Sequence, residues 1–409
     1  MSRILISFVG TGKTDRQNLK SERCYLTTCY HIGNRNIGDY PFVAAGIMAS
    51  CHIDKVILIG TTHSMWEEVY RYFAEQNNQT LDEAKYLAIA DYCEKATSDT
   101  IQDIPFMEDI EKSIGDAKIV LIRYGLNDDE IDENVKRILL LDSSFNTGDE
   151  LIIDITHAFR SLPLMIMNLL IYLKNVSRRN IRISHIYYAM LEVLQENNLK
   201  YGEKYAPIVD LRNILSLNDW IIGSYSFSQY GNAYKISELL DNIDRDMANR
   251  LRSFSDEMNL NHIDAIEEET KKMRSLKNKE YKSKLPELIV KPVIDDFLKT
   301  FRIDDNHALF QFKLAEWQYK HMNYAASLIS LMESMITWVC LQEKLNWRDY
   351  QDREKAKEKI KAYPDLCRCY YKIKKSRNCV AHSIETENNA ANMIKTLKIN
   401  LEKVKRIIS

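Results

Sequence analysis

Three stretches of this chain place polar side chains where they could do chemistry. The first is Arg377-Asn378-Cys379-Val380-Ala381-His382, an arginine and a histidine with four residues between them inside a helix-forming segment. A histidine titrates near neutral pH and can move a proton to or from a ribose 2′-hydroxyl or a leaving oxygen, while a guanidinium holds the charge that builds on a phosphorane. That pairing suits metal-free cleavage of RNA, with Asn378 as a helper that orients its neighbours. In a regular helix the two residues lie about 7.5 Å apart along the axis and are rotated by about 140°. A kink, the length of the arginine, or a second copy of the chain must therefore bring them to one phosphate. On spacing alone, an incidental arginine and histidine explain the motif better.

The second stretch is Asp154-Ile-Thr156-His157-Ala-Phe-Arg160-Ser-Leu-Pro163, where an apolar run ends and a helix pattern begins. Thr156 is expected to cap that helix, the helix N-terminus favours an anion, and Arg160 offers a planar fork for phosphate. A structural cap would need Thr156 or Asp154 alone, so His157 and Arg160 beside them point to an anion or nucleotide site. The third stretch, Ser7-Phe-Val-Gly10-Thr11-Gly12-Lys13-Thr14, imitates a phosphate loop. It fails the pattern GxxxxGK[ST], because Ser7 stands at the first glycine and no helix pattern opens at Thr14. Backbone N–H groups and hydroxyls around Thr11 and Gly12 still suit a phosphate or a base edge. An ordinary tight turn explains that motif equally well. Thr62, in Gly60-Thr-Thr-His63, would lie on the same rim.

The elements that must position these residues follow from hydrophobic period. Runs at Ile4–Val9, Lys55–Gly60, Ile119–Arg123, Glu150–Ile155 and Ile181–Tyr188 read as buried parallel strands. Helix patterns lie between them at Pro41–Ser50, Met65–Gln76, Leu81–Lys95, Glu130–Leu141 and Phe159–Asn175. The alternation predicts an α/β, doubly wound, Rossmann-like first domain over 1–205, with its pocket at the carboxyl ends of the strands. Beyond about Pro207, helix patterns follow one another: Leu211–Gln229, Lys235–Met258, His262–Lys284, Leu288–Phe301, Asn323–Glu343 and Glu354–Tyr363. After a break near Pro364 come two final helices, the second over Asn388–Ile408, so 206–409 is expected to be all-α.

Composition narrows the classes. The 409 residues are 45% hydrophobic and 28% charged with a formal net charge of −2, which fits a folded two-domain protein and excludes general phosphate coating. Nucleic-acid contact must then be local. Arg368, Lys372, Lys374, Lys375 and Arg377 form a basic run without an acidic residue. A second run, Lys271–Lys284, reads as a solvated helix face. Eight scattered cysteines fit no zinc or redox spacing and read as free buried thiols. The start of the chain shows no secretory leader, and the longest apolar stretches, such as Leu162–Leu173, are short for a bilayer, which predicts a cytoplasmic protein without membrane contact.

Taken together, the first strand running into Phe8-Val9-Gly10-Thr11-Gly12, the Asp154–Pro163 turn, the Trp220 and Phe227 region and Arg377-Asn-x-x-Ala-His382 resemble the CARF–HEPN ribonucleases of type III CRISPR systems. The last motif is similar to the HEPN pattern Arg-x4-6-His. The resemblance implies a CARF sensor over 1–205 and a helical linker with a HEPN ribonuclease over 206–409. It further implies a homodimer, or a higher assembly of it, whose paired sensors hold a cyclic oligoadenylate, with cyclic tetra-adenylate the family's leaning, as allosteric activator. Thr11, Gly12, Thr62, Thr156, His157 and Arg160 would hold the ring. Arg377, His382 and Asn378 would cut single-stranded RNA without a metal or other cofactor, leaving 2′,3′-cyclic phosphate or 3′-phosphate ends. Glu333 either faces that site or has a solvated or capping role.

Three other readings compete. The sensor could also open its own ring, with Thr11 or His157 assisting attack by a ribose hydroxyl. The chain could be a non-enzymatic regulator in which Arg377 and His382 are structural. A P-loop ATPase is disfavoured by Ser7.

Overall fold

The computed structural model describes residues 1–14, 23–25, 27–100, 103–158, 161–195, 205–276, 281, 283–302, 305–382 and 389–408. The chain divides into two compact units, Met1–Ser216 and Leu217–Ser409.

The strands of the first unit are β1 (Arg3–Phe8), β2 (Lys13–Thr14), β3 (Arg23–Cys24), β4 (Thr28–Ile32), β5 (Arg35–Tyr40), β6 (Lys55–Gly60), β7 (Ala117–Leu121), β8 (Glu150–Asp154), β9 (Arg182–Ala189) and β10 (Ala206–Asp210). Its helices are α1 (Val43–Ser50), α2 (Trp66–Gln76), α3 (Glu83–Lys95), α4 (Met107–Ile114), α5 (Asp128–Leu139) and α6 (Leu162–Asn175). Eight strands form one sheet in the order β5-β4-β10-β9-β8-β1-β6-β7, while β2 and β3 pair separately. From β9 to β7 the pairing is parallel. These five strands are the apolar runs expected from sequence. The central β1, β6 and β8 are the most legible because both faces are buried: in β1, Ile4, Ile6 and Phe8 pack against α5 and α6, and Leu5 packs toward α1 and α2.

The expectation of a purely parallel sheet is corrected at its far edge. β10 runs antiparallel to β9 and parallel to β4, and β4 is antiparallel to β5. These strands are only partly buried, β4 and β5 are interrupted by His, Asn, Gly and Asp, and β10 is short and holds a proline and an aspartate, so they lack the apolar run that marks a central strand. Because β10 completes the sheet, the first unit extends to Ser216, past the position near 205 read from the change in period. The strand order reverses between β1 and β8, and in an open α/β sheet that switch point is where the carboxyl ends open a crevice.

The second unit is helical among its described residues: α7 (Arg212–Tyr230, whose first turn belongs to the first unit), α8 (Tyr234–Leu240), α9 (Arg245–Leu260), α10 (Ile263–Met273), α11 (Lys291–Thr300), α12 (His307–Lys320), α13 (Tyr324–Gln342), α14 (Tyr350–Lys359), α15 (Pro364–His382) and α16 (Ala390–Ile408). Two departures from expectation have local causes. The expected helix Lys235–Met258 is two helices, since Asp244 caps a new start by accepting the Met247 N–H. The helix α12 escapes a reading by period because it is buried on nearly every side. Phe310, Leu314 and Trp317 join one core, and Ala308, Phe312 and Ala315 join the other, which leaves no polar stripe to reveal the period. The apolar α13 is long enough to cross a membrane, yet its Leu331, Met335, Ile336 and Val339 fill that second core. Cys29, Cys51, Cys93, Cys340, Cys367, Cys369 and Cys379 are free thiols, although of these only Cys93, Cys340 and Cys369 are buried.

Candidate functional site

At the switch point the loops after β1, β6 and β8 are stitched into one rim. Gly10 O accepts the Met65 N–H and the Tyr25 hydroxyl, both at 3.0 Å. Val9 O accepts the Ser64 hydroxyl at 2.6 Å. Gly12 sits at φ +68°, and a Cβ there would fall 1.9 Å from Met65 Sδ, so any other residue is strained and must displace the Met65 side chain. On the opposite side, a Cβ on Gly10 would lie 3.6 Å from that of His157. Thr11 and Gly12 thus stand between the Thr62 loop and the His157 loop. Directly after Gly12, Lys13 and Thr14 form β2 and not the first turn of a helix, as the failed phosphate-loop pattern implies.

Beneath the rim, Asp154 organises the junction. Its Oδ2 accepts the Ser7 hydroxyl at 2.6 Å, and its Oδ1 accepts the Thr156 N–H at 3.0 Å and the Thr156 hydroxyl at 2.6 Å. Asp154 and Ser7 are fully buried. Thr156 Oγ1 in turn accepts the Ala189 N–H of β9 at 2.8 Å. The expected helix cap is therefore corrected: the Thr156 hydroxyl joins β8 to β9, and α6 begins at Leu162, too far along for Thr156 to reach its free N–H groups. Arg160 and Phe159 lie outside the described residues.

Two polar atoms on this rim are enclosed and have no hydrogen-bond partner among the described residues, Thr62 Oγ1 and His157 Nε2. Such an atom costs about 1–3 kcal/mol unless water or a ligand completes it. The His157 ring lies 5.4 Å from the Tyr25 ring. Burial pushes its pKa below the ordinary imidazole value, against the opposing pull of Asp154, so His157 is neutral at pH 7. Neighbouring side chains are committed elsewhere: His63 Nδ1 lies 2.8 Å from Cys93 O, and Trp66 Nε1 donates to Thr61 O at 2.8 Å. The rim can thus offer neutral donors and acceptors, together with backbone N–H groups, to a polar ligand.

The second candidate site lies on α15, which starts at Pro364 where a break was expected. Leu366, Cys369, Tyr370 and Ile373 anchor it in the core. Arg377 and Asn378 are half-buried, and Arg377 makes no ion pair among the described residues. His382 ends the helix, and its side chain is outside the described set. Glu333 of α13 pairs with Arg353 of α14. Burial raises the Tyr370 hydroxyl, and its surroundings include the charges of Lys357, Glu333 and Arg377.

Residues 216–306 match the family described as CRISPR-associated protein MJ1674, second domain. Over 443 aligned positions the chain is 30% identical to the CRISPR-associated protein MJ1674 of Methanocaldococcus jannaschii, covering all of this chain and 68% of that protein. The chain belongs to the MJ1674 family of CRISPR-associated proteins. The CRISPR association expected from its motifs is therefore established. A solved structure, Enterococcus italicus Csm6 bound to cyclic hexa-2′-fluoro-hexa-dAMP, aligns with all of the chain and 94% of its own at a TM-score of 0.37 and 11% identity.

In this MJ1674-family protein the matched segment from 216 to 306 runs from α7 to just past α11. From about 230 onward that stretch carries no legible chemical motif. Sequence reasoning also passed over Ser7, Tyr25, Ser64 and Met65 as parts of the rim. Ser7 could have been found, as a lone hydroxyl inside an apolar strand needs a partner. Tyr25 and Met65 gave no such signal, since their roles arise from loops that meet only in the fold.

Proposed function

We propose that this protein is a cyclic-oligoadenylate-activated endoribonuclease of type III CRISPR defence, cutting single-stranded RNA without a metal. The observation that carries the reading is the rim at the β1/β8 switch point, where Thr62 Oγ1 and His157 Nε2 are enclosed and unpartnered beside the Thr11–Gly12 turn. A polar ligand seated there would complete both atoms. An adenylate ring supplies what they lack, namely phosphate and ribose oxygens and base-edge nitrogens in repeated array. Membership of a CRISPR-associated family supports this choice of ligand.

In the proposed mechanism two copies of the chain share the activator, and the second units bring their α15 helices together. His382 moves the proton of the ribose 2′-hydroxyl, Arg377 holds the phosphorane charge, and Asn378 orients them. Attack by that hydroxyl gives a 2′,3′-cyclic phosphate and a 5′-hydroxyl. The helical rotation between Arg377 and His382 is accommodated if each phosphate meets residues from both copies. A second reading, ring opening in the sensor itself, is favoured by the neutral, enclosed imidazole of His157, which can accept a proton.

The test is cleavage of a fluorescent single-stranded RNA in EDTA, with cyclic tetra- and hexa-adenylate, by the wild type and His382→Ala. Activator-dependent cutting that the variant loses is expected. Tight ring binding with no cutting would replace the ribonuclease by a regulator. Incubating the rings alone and following linear products tests the second reading.

A further inference from the structure

The second unit holds a cationic groove between α15 and α16 that no part of the mechanism above uses. It encloses about 570 Å³ and is lined by Arg368 and Lys372 of α15 and by Lys403 and Arg406 of α16. Its floor includes Cys369 and Asn400, which are 3% and 2% exposed. Arg368 is held by Asp365 at the groove's end. Lys372, Lys403 and Arg406 make no ion pair among the described residues, whereas Lys405 on the same helix pairs with Glu316 at 2.9 Å. The positive field reaches the floor, where Lys403, Lys372 and Arg368 all act on the Cys369 thiol, although burial outweighs them and raises it. Uncompensated like charges around one cleft repel one another and focus a field that a polyanion would relieve.

Helix register connects this groove to the proposed catalytic centre. Arg368, Lys372, Lys375, Cys379 and position 382 follow at intervals of four, three, four and three residues, which is one stripe along a helix. Arg377 lies off that stripe. Position 382 is about 15 Å beyond Lys372 along the axis, a span of roughly four phosphates in a stacked strand at about 3.4 Å each. Tyr371, 48% exposed, flanks the same stripe one turn before Lys375, where an aromatic ring offers a platform for an unpaired base.

We infer that the α15/α16 groove is a binding site for the sugar-phosphate backbone of single-stranded RNA, engaging phosphates roughly four nucleotides from the scissile one, with Tyr371 stacking on a base beside the groove. The inference rests on the ribonuclease reading for its orientation and adds a substrate-length requirement to it. Lys372, Lys403 and Arg406 then hold substrate without touching the reacting atoms.

The experiment compares a 20-nucleotide RNA with a trinucleotide, using activated wild type, the triple variant Lys372→Ser/Lys403→Ser/Arg406→Ser, and Tyr371→Ala. RNA binding is read by anisotropy and cutting by product release. For the long RNA, the triple variant is expected to raise Kd and KM at least about tenfold and to reduce the slope of log K against log salt by about 2, near 0.7 for each phosphate no longer neutralised. Tyr371→Ala is expected to cost about fivefold or more on the same RNA. The trinucleotide, too short to span the stripe, should lose less than twofold with either. Equal losses on both RNAs, or unchanged long-RNA binding in the triple variant, would overturn the groove. A wild type that binds long RNA through these residues but never cuts it would leave the groove standing and remove the ribonuclease.

Discussion

Replacing Asp154 by alanine removes the acceptor for three donors at once: the Ser7 hydroxyl, the Thr156 N–H and the Thr156 hydroxyl. Each donor left without a partner in a buried site costs about 1–3 kcal/mol. Thr156 is half-buried, so water can recover part of its share, and the loss is expected at about 3–5 kcal/mol. For a folding unit of this size each kcal/mol lowers the melting temperature by about 2–4 °C. A fall of at least about 6 °C in the transition of the first unit follows, read by scanning calorimetry with the helical unit as internal reference. Ser7→Ala alone should cost about 1–3 kcal/mol, because it leaves Oδ2 unpartnered. The double variant should be clearly less destabilised than the sum of the singles, since the two groups are direct partners. A shift below 2 °C for Asp154→Ala, or strict additivity with Ser7→Ala, would refute the view that this carboxylate holds the rim together.

Three further outcomes are expected. Arg377→Ala or His382→Ala should lower RNA cleavage by about 10²-fold or more, with activator affinity unchanged in calorimetric titration; a matching loss of activator binding would reassign both residues to structure. Because His157 is held below its ordinary value of 6.5, the unfolded chain binds the extra proton first and stability rises with pH. The contribution is complete above about 6.5 and is lost as pH falls through the lowered folded value, so His157→Phe, which keeps a ring against Tyr25, should flatten that part of a melting-temperature profile between pH 5 and 7. Gly12→Ala must shift Met65 and adopt a positive φ that costs about 1 kcal/mol, so activator binding should weaken, and Met65→Ala should restore only the steric share, as read by ring-binding titration.

The residues that could do chemistry, and the strands carrying three of them, are legible in the sequence for a definite reason. Strands buried on both faces must be continuously apolar, so β1, β6 and β8 announce themselves, and the polar residues that end them stand out as rim candidates. The resemblance that pointed to a CRISPR-associated protein rests on the same motifs together with the Arg377–His382 spacing. Tertiary structure alone decided the rest. β4, β5 and β10 join the sheet through backbone pairing on a half-exposed edge, where composition carries little signal. The helix α12 is hidden because two cores claim opposite sides of it. Thr156 reads as a helix cap in one dimension, but its hydroxyl goes to Asp154 and Ala189, partners 2 and 33 residues away. The α15/α16 groove likewise exists only once two basic helices pack side by side. Local sequence dictates which faces are buried and which residues are charged; which of those charges and hydroxyls meet is settled by packing between segments far apart in the chain.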